Sequence, residues 1–170
     1  MQEGEELEIV VGIGEYAISD KEEDVLKTFA LGSCVALTIY SIRKKVLGLV
    51  HIALPCSSIN SSDSYQRPGY YVDTAIPCLL NKFIDQYDCS KCELIVNIFG
   101  GAEASWGNDM FKVGKRNVEA VKEILAKHCM ILCGEETGGA YSRNVEADVA
   151  TGTIKLGKLC LKTLKDTRVI

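Results

Sequence analysis

Residues 35–54 read Val-Ala-Leu-Thr-Ile-Tyr-Ser, then Ile-Arg-Lys-Lys, then Val-Leu-Gly-Leu-Val-His-Ile-Ala-Leu. The first seven are rich in β-branched and aromatic residues, the composition of a strand. Ile42, Arg43, Lys44 and Lys45 make the turn. Residues 46–54 are almost continuously apolar, which predicts a second strand buried on both faces. The two predict an antiparallel hairpin.

Outward from it, residues 8–13 are apolar enough for a strand and lead into Gly12-Ile13-Gly14-Glu15-Tyr16. This is no dinucleotide fingerprint, because Ala17 stands where the third glycine is needed. Residues 20–24 read as a charged, solvated turn, and 25–30 as a short strand stopping at Gly32. Residues 57–69 are a long polar loop, a length that favours function or mobility. Residues 73–86 predict a helix with Asp73 as N-cap and Pro77 in its first turn. Residues 93–99 predict a strand ending at Gly100-Gly101. Residues 117–127 predict a helix with Val118, Val121 and Leu125 on one stripe. Strands are expected over 130–132, 141–149 and 153–164. Helix, cysteine, strand and Gly-Gly-Ala occur in that order at 73–102 and again at 117–140. The echo suggests two similar helix–strand units. Strands outnumber helices, and the first three lack helices between them, so the expected class is α+β rather than a doubly wound sheet.

The 170 residues carry no linker and predict one domain, residues 1–170, with a frayed acidic start over 1–8. At 47% hydrophobic and 25% charged, such a chain buries a core without disulfides or metal, removing roughly 70% of its unfolded surface from water. A formal charge of -4 argues against nucleic acid or an anionic membrane as a partner, since both need a basic face. No apolar run approaches the roughly 18–20 residues of a membrane span. Met1-Gln2-Glu3-Gly4-Glu5-Glu6 lacks the basic n-region of a secretory signal, so the expected address is cytoplasmic. The eight cysteines are then expected as reduced thiols.

There are two histidines. His128 ends the second helix, where a cation complements the helix dipole. His51 lies in the apolar run before Pro55, where burying an imidazole is costly unless its nitrogens find partners. It is either a core histidine bonded to backbone or half of a catalytic pair. Cys34 stands in Leu31-Gly32-Ser33-Cys34-Val35, where a glycine turn enters a strand. Such a turn can expose a side chain and leave backbone N–H groups at Gly32 and Ser33 free to hold an oxyanion. Alone, Cys34 reads as a small buried residue. The hairpin changes that, bringing Cys34 and His51 to one end of the ladder within about one residue of register. A thiol beside an imidazole is the arrangement of an activated thiolate. It names no reaction.

Together with further motifs these residues resemble the chemoreceptor glutamine deamidases of the CheD family. The matches run in order along almost the whole chain: Gly12-Ile13-Gly14-Glu15-Tyr16 with Ser19, Leu31-Gly32-Ser33-Cys34, His51-Ile52-Ala53-Leu54-Pro55, Tyr71-Val72-Asp73-Thr74-Ala75, Phe99-Gly100-Gly101-Ala102, Gly114 with Arg116-Asn117, and Thr137-Gly138-Gly139. The resemblance implies a catalytic set of Cys34, His51 and Thr28, with Thr28 orienting the imidazole. It implies hydrolysis of a receptor glutamine to glutamate through a thioester, with no metal or organic cofactor. It implies mixed sheets in a β-sandwich-like core with helices packed outside. The implied partners are the cytoplasmic helices of chemoreceptors and a CheC-type phosphatase. The acidic start, Pro77 and the extra cysteines depart from the family, all outside the catalytic motifs. Two rival functions are a non-catalytic adaptor of chemotaxis proteins and a cysteine hydrolase acting on another amide, ester or thioester.

Two weaker features remain. Cys89, Cys92, Cys129 and Cys133 could in principle form a zinc site, although the spacing of the second pair is unusual and isolated thiols are the simpler reading. Trp106 is either a partner-binding anchor or a packed cap over the sheet.

Overall fold

The hairpin of residues 35–54 forms as read and stands at the centre of the molecule. The computed structural model describes residues 7–59, 66–103 and 111–161, so Trp106 and residues 1–6 lie outside the described residues. Among those described, the elements run β1 (Leu7–Val10), β2 (Tyr16–Ser19), β3 (Asp24–Leu31), β4 (Val35–Ser41), β5 (Val46–Ile52), α1 (Val72–Asp85), β6 (Leu94–Gly100), α2 (Val113–Lys127), β7 (Leu132–Thr137), β8 (Tyr141–Asp148) and β9 (Ile154–Cys160). They build two mixed sheets, in the strand orders β1-β3-β8-β9 and β2-β5-β4-β6-β7. The class is α+β, as expected.

Three layers explain the continuous apolar run. Alternate residues of the hairpin point to opposite faces, and both faces are covered. Val35, Leu37, Ile39, Val50 and Ile52 pack against Ala75, Ile76, Leu79 and Phe83 of α1 and Val121 and Leu125 of α2. Ala36, Tyr40, Leu47 and Leu49 face the other sheet and meet its Leu26, Leu31, Val145 and Ala147. Every residue of β4 and β5 is therefore buried. Polar alternation survives where one face meets water, as in β8, whose Val145 and Ala147 are buried while Asn144 is exposed.

The repeated helix–strand pattern has a structural counterpart. β6 and β7 are parallel neighbours. The two glycine pairs that close them meet: Gly138 N–H donates to the Gly100 carbonyl at 2.9 Å, and Glu103 N–H to that of Gly139 at 2.9 Å.

Several local expectations are corrected. Leu7 and Glu8 belong to β1 rather than to a frayed start, paired with Asp24 and Val25, and Glu8 accepts from Lys27 Nζ at 2.6 Å. β2 went unread because its four residues follow a glycine turn. Asp24 is buried and accepts a 2.5 Å bond from Ser19 Oγ. Tyr71, not Asp73, precedes α1. The Asp73 carboxylate instead takes the Ser57 backbone N–H at 2.9 Å and its hydroxyl at 2.9 Å, tying down the loop after β5. Pro77 falls in the second turn of α1, where it removes the bond to the Asp73 carbonyl. α2 begins at Val113, four residues earlier than read, running through Gly114. β7 starts at Leu132, after a left-handed Cys129 (φ 57°) closes α2.

Candidate active site

Three elements converge at one end of the central hairpin. Ala36 is the register partner of His51. Cys34 lies two residues before Ala36 and one before the first rung of the ladder, with its side chain on the face that carries His51. Cys34 packs against the inter-sheet cluster and is half-buried. His51 is 2% exposed, and both its backbone groups are held by the Gly12–Tyr16 turn. Gly14 N–H donates to the His51 carbonyl at 2.7 Å, and His51 N–H to that of Glu15 at 3.1 Å.

The ring is oriented from the opposite sheet. Thr28, on β3 and fully buried, places Oγ1 2.8 Å from His51 Nδ1 and 2.7 Å from the Val11 carbonyl. A carbonyl only accepts, and a hydroxyl has one proton. Thr28 therefore donates to Val11 and accepts from Nδ1–H. That assignment leaves Nε2 as the bare basic nitrogen, and among the described residues Nε2 has no partner.

Burial dominates the titration of both groups. It pushes the Cys34 thiol up, while the residue's own N–H, turned toward the sulfur, works against it. It pushes the His51 imidazole down. The expected pairing would lower the thiol, and burial acts in the opposite direction. Burial thus favours the neutral form of each group.

The turn 32–34 is locked by its carbonyls. Those of Gly32, Ser33 and Cys34 accept from Ala102 N–H (2.8 Å), Asn117 Nδ2 (3.0 Å) and Gly101 N–H (2.7 Å). Among the described residues, the N–H groups of Ser33 and Cys34 have no acceptor beyond that approach to the sulfur. A Cβ added at Gly32 would meet nothing within 4 Å, so the turn faces open space there. Ser33 and Cys34 can thus present donors to an oxygen beside the thiol.

Three supports went unread in the sequence. The first is the Val11 carbonyl, which no side-chain pattern marks. The second is Asn117, fully buried, whose Nδ2 also donates to the Ala53 carbonyl at 2.9 Å. Its signal was a polar residue four before Val121 on the buried stripe of α2. The third is Arg143, 2% exposed at an inward position of β8. It donates to the Gly138 carbonyl at 2.8 Å and to Glu136 at 3.2 Å. Gly138 holds Gly100, and Gly101 holds Cys34, so Arg143 is tied to the Cys34 turn through the two glycine pairs.

His128 caps α2, as read. The four cysteines do not come together. Cys92, Cys129 and Cys133 are exposed around a surface cavity of about 320 Å³, while Cys89 is buried. Among the described residues, no three His, Cys, Asp or Glu side chains converge to hold a metal. No helix of the described residues is long and apolar enough to cross a membrane.

Comparison with known proteins gives consistent matches along most of the chain. The family model described as CheD chemotactic sensory transduction matches residues 53–158. The chain is 42% identical to the probable chemoreceptor glutamine deamidase CheD of Syntrophotalea carbinolica, over 88% of this chain and 93% of that protein. It is 38% identical to the Pyrococcus abyssi protein of the same name, over 89% and 92%. It is 34% identical to the chemoreceptor glutamine deamidase CheD of Bacillus velezensis, over 86% and 88%. Among solved structures, the Bacillus licheniformis hypothetical protein YfiH overlays with a TM-score of 0.47 at 10% identity, covering 80% of this chain and 61% of that one, a likeness too distant to add to the assignment. On sequence similarity along most of its length, the chain belongs to the CheD family.

Proposed function

We propose that the chain hydrolyses the side-chain amide of chemoreceptor glutamines, with Cys34 as nucleophile, His51 as base and acid, and Thr28 as the group that orients His51. The enzyme class, protein-glutamine glutaminase, follows from the family; the residue roles are our reading. One observation carries it: Thr28 and Val11 fix the His51 tautomer so that the bare Nε2 lies on the face that carries Cys34.

The steps balance with water as the only co-reactant. Cys34 Sγ attacks the carboxamide carbon as its proton passes to Nε2. The oxyanion is held by the Ser33 and Cys34 N–H groups. The imidazolium is stabilised at Nδ1 by the Thr28 oxygen and the carbonyl behind it, then protonates the departing nitrogen, and ammonia leaves. Water attacks the thioester, its proton passing to Nε2 and then to sulfur, releasing glutamate. Because burial favours the neutral form of both groups, His51 acts in this reading as a general base during the attack rather than as the partner of a standing thiolate.

The proposed partners are chemoreceptor cytoplasmic helices and a CheC-type phosphatase, in the cytoplasm, with residues 1–170 acting as one deamidase unit. The family resemblance supports these. The test is mass spectrometry of a chemoreceptor cytoplasmic fragment after incubation with wild-type protein and with Cys34→Ala. Amide-to-acid conversion by the wild type and none by the variant is expected. Full conversion by Cys34→Ala overturns the mechanism.

A further inference from the structure

The central ladder splits at its catalytic end. β4 and β5 pair regularly up to Val35 opposite Ile52. The next rung would join Cys34 to Ala53, and it does not form. Before Val35 the chain turns to the Gly-Gly loop, with Gly101 N–H on the Cys34 carbonyl and Ala102 N–H on that of Gly32. After Ile52 it turns the other way, with Ala53 and Leu54 N–H both on the Tyr70 carbonyl, at 3.0 and 3.1 Å. One side chain stands in the fork. Asn117 Nδ2 lies 3.0 Å from the Ser33 carbonyl on one arm and 2.9 Å from the Ala53 carbonyl on the other. Both partners only accept, so the nitrogen, not the oxygen, faces them.

The helix that carries Asn117 is built to reach this fork. A Cβ at Gly114 would collide with the Ala102 carbonyl and lie 2.7 Å from that of Gly101. The first turn of α2 thus rests directly on the loop that holds Cys34. Asn117 follows three residues later and is fully buried.

We propose that Asn117 is the positioning residue of this active site, an amide that replaces the missing rung, keeps the two strands apart at their end, and sets the Cys34 turn relative to the strand that carries His51. This rests on the reading of Cys34 and His51 above. A closed rung would draw Cys34 into the ladder, where the substrate carboxamide could not approach its sulfur. Without the amide, the buried Ala53 carbonyl loses its donor, which is costly, the Ser33 carbonyl loses its own, and water enters to satisfy them.

The experiment is steady-state deamidation of a chemoreceptor cytoplasmic fragment by Asn117→Ala and Asn117→Ser, beside Cys34→Ala and the wild type, each with a thermal melt. Asn117→Ala is expected to lose kcat by tenfold or more with KM within about twofold, because it misplaces groups that act in the transition state. Asn117→Ser, which keeps one donor, should recover part of the loss. The acid limb of the rate profile should move up in Asn117→Ala, since water admitted at the fork relieves the burial that holds His51 down. A purely structural role would lower the melting temperature and leave kcat and that limb in place. If Asn117→Ala does not fold, Asn117→Ser is read by the same criteria. A folded variant with wild-type kcat and an unmoved acid limb overturns the proposal. An active Cys34→Ala overturns the catalytic reading beneath it, so the two failures are distinct.

Discussion

Thr28 and His51 belong to different sheets, and the 2.8 Å contact between Oγ1 and Nδ1 is a bond across the sandwich. Hairpin register puts Cys34 and His51 on one face, but it cannot choose a ring tautomer. That choice comes from the facing sheet, where Val11 and Thr28 stand one behind the other. In the proposed mechanism, proton transfer thus depends on how the two layers are packed, as well as on the hairpin that carries Cys34 and His51.

Thr28→Val keeps the shape and removes the hydroxyl. It leaves the Val11 carbonyl and His51 Nδ1 unpaired in a buried layer, at a cost of about 1–3 kcal/mol. It also releases the tautomer, so kcat should fall by roughly 10- to 100-fold, within the range that acid–base groups contribute. Thr28→Ser restores the oxygen and should recover most of the rate. Deamidation kinetics and melts of the two variants check this, and a Thr28→Val enzyme with wild-type kcat would remove Thr28 from the site.

Two buried groups set the pH window. The folded-state pKa of His51 lies below its ordinary value of about 6.5. Its contribution to stability is therefore complete above that value and is lost as pH falls toward the folded pKa. Cys34 is shifted up, so its contribution is complete below the ordinary thiol value of about 8.5 and is lost as pH rises past it. Melting temperature against pH should decline on both sides. His51→Gln should flatten the acid side and Cys34→Ala the alkaline side. Unchanged slopes in both variants would mean that neither group carries the linkage. The acid limb of activity should fall below the ordinary imidazole value, since Nε2 acts only when unprotonated.

The hairpin was legible because seven and nine apolar-rich residues flank a cationic turn, and its ends matched to within two residues. β2 was not, because Tyr16–Ser19 is too short to show alternation and is a strand only through pairing with β5. The start of α2 was hidden by Gly114, a poor helix former, which the close approach of the Gly101–Ala102 loop requires. That Cys34 and His51 share one end of the hairpin could be read from its register, although His51 stands opposite Ala36, two residues beyond Cys34 rather than about one. The Val11 carbonyl and the bonds made by Asn117 could not, because backbone acceptors leave no mark on side-chain pattern.

Gly100 tests the turn that holds Cys34, the proposed nucleophile. Its φ is +106°, outside what a side chain tolerates, and an added Cβ would collide with the Cys34 carbonyl. Gly100→Ala should cost about 1–3 kcal/mol from backbone strain alone, with the collision adding to it. Displacing the Cys34 turn should also lower kcat in whatever protein folds. The melting temperature and the activity per folded molecule are the measurements. A variant that melts and turns over like the wild type would show that the loop yields freely.

Thiol reactivity separates a neutral resting pair from a standing ion pair. Only the thiolate alkylates, and an ordinary thiol of pKa about 8.5 is ionised to roughly 3% at pH 7. Burial takes Cys34 below that fraction, and its half-buried position slows access further. Cys92, Cys129 and Cys133 are exposed. Limiting iodoacetamide at pH 7, read by peptide mass mapping, should therefore label those three ahead of Cys34. Cys34 should catch up only as the pH rises well past the ordinary thiol value. A resting thiolate held by imidazolium would give the opposite order, with Cys34 labelled first near neutrality and the preference lost in His51→Ala. That result would overturn the neutral pair and general-base step, while leaving Cys34 as the nucleophile.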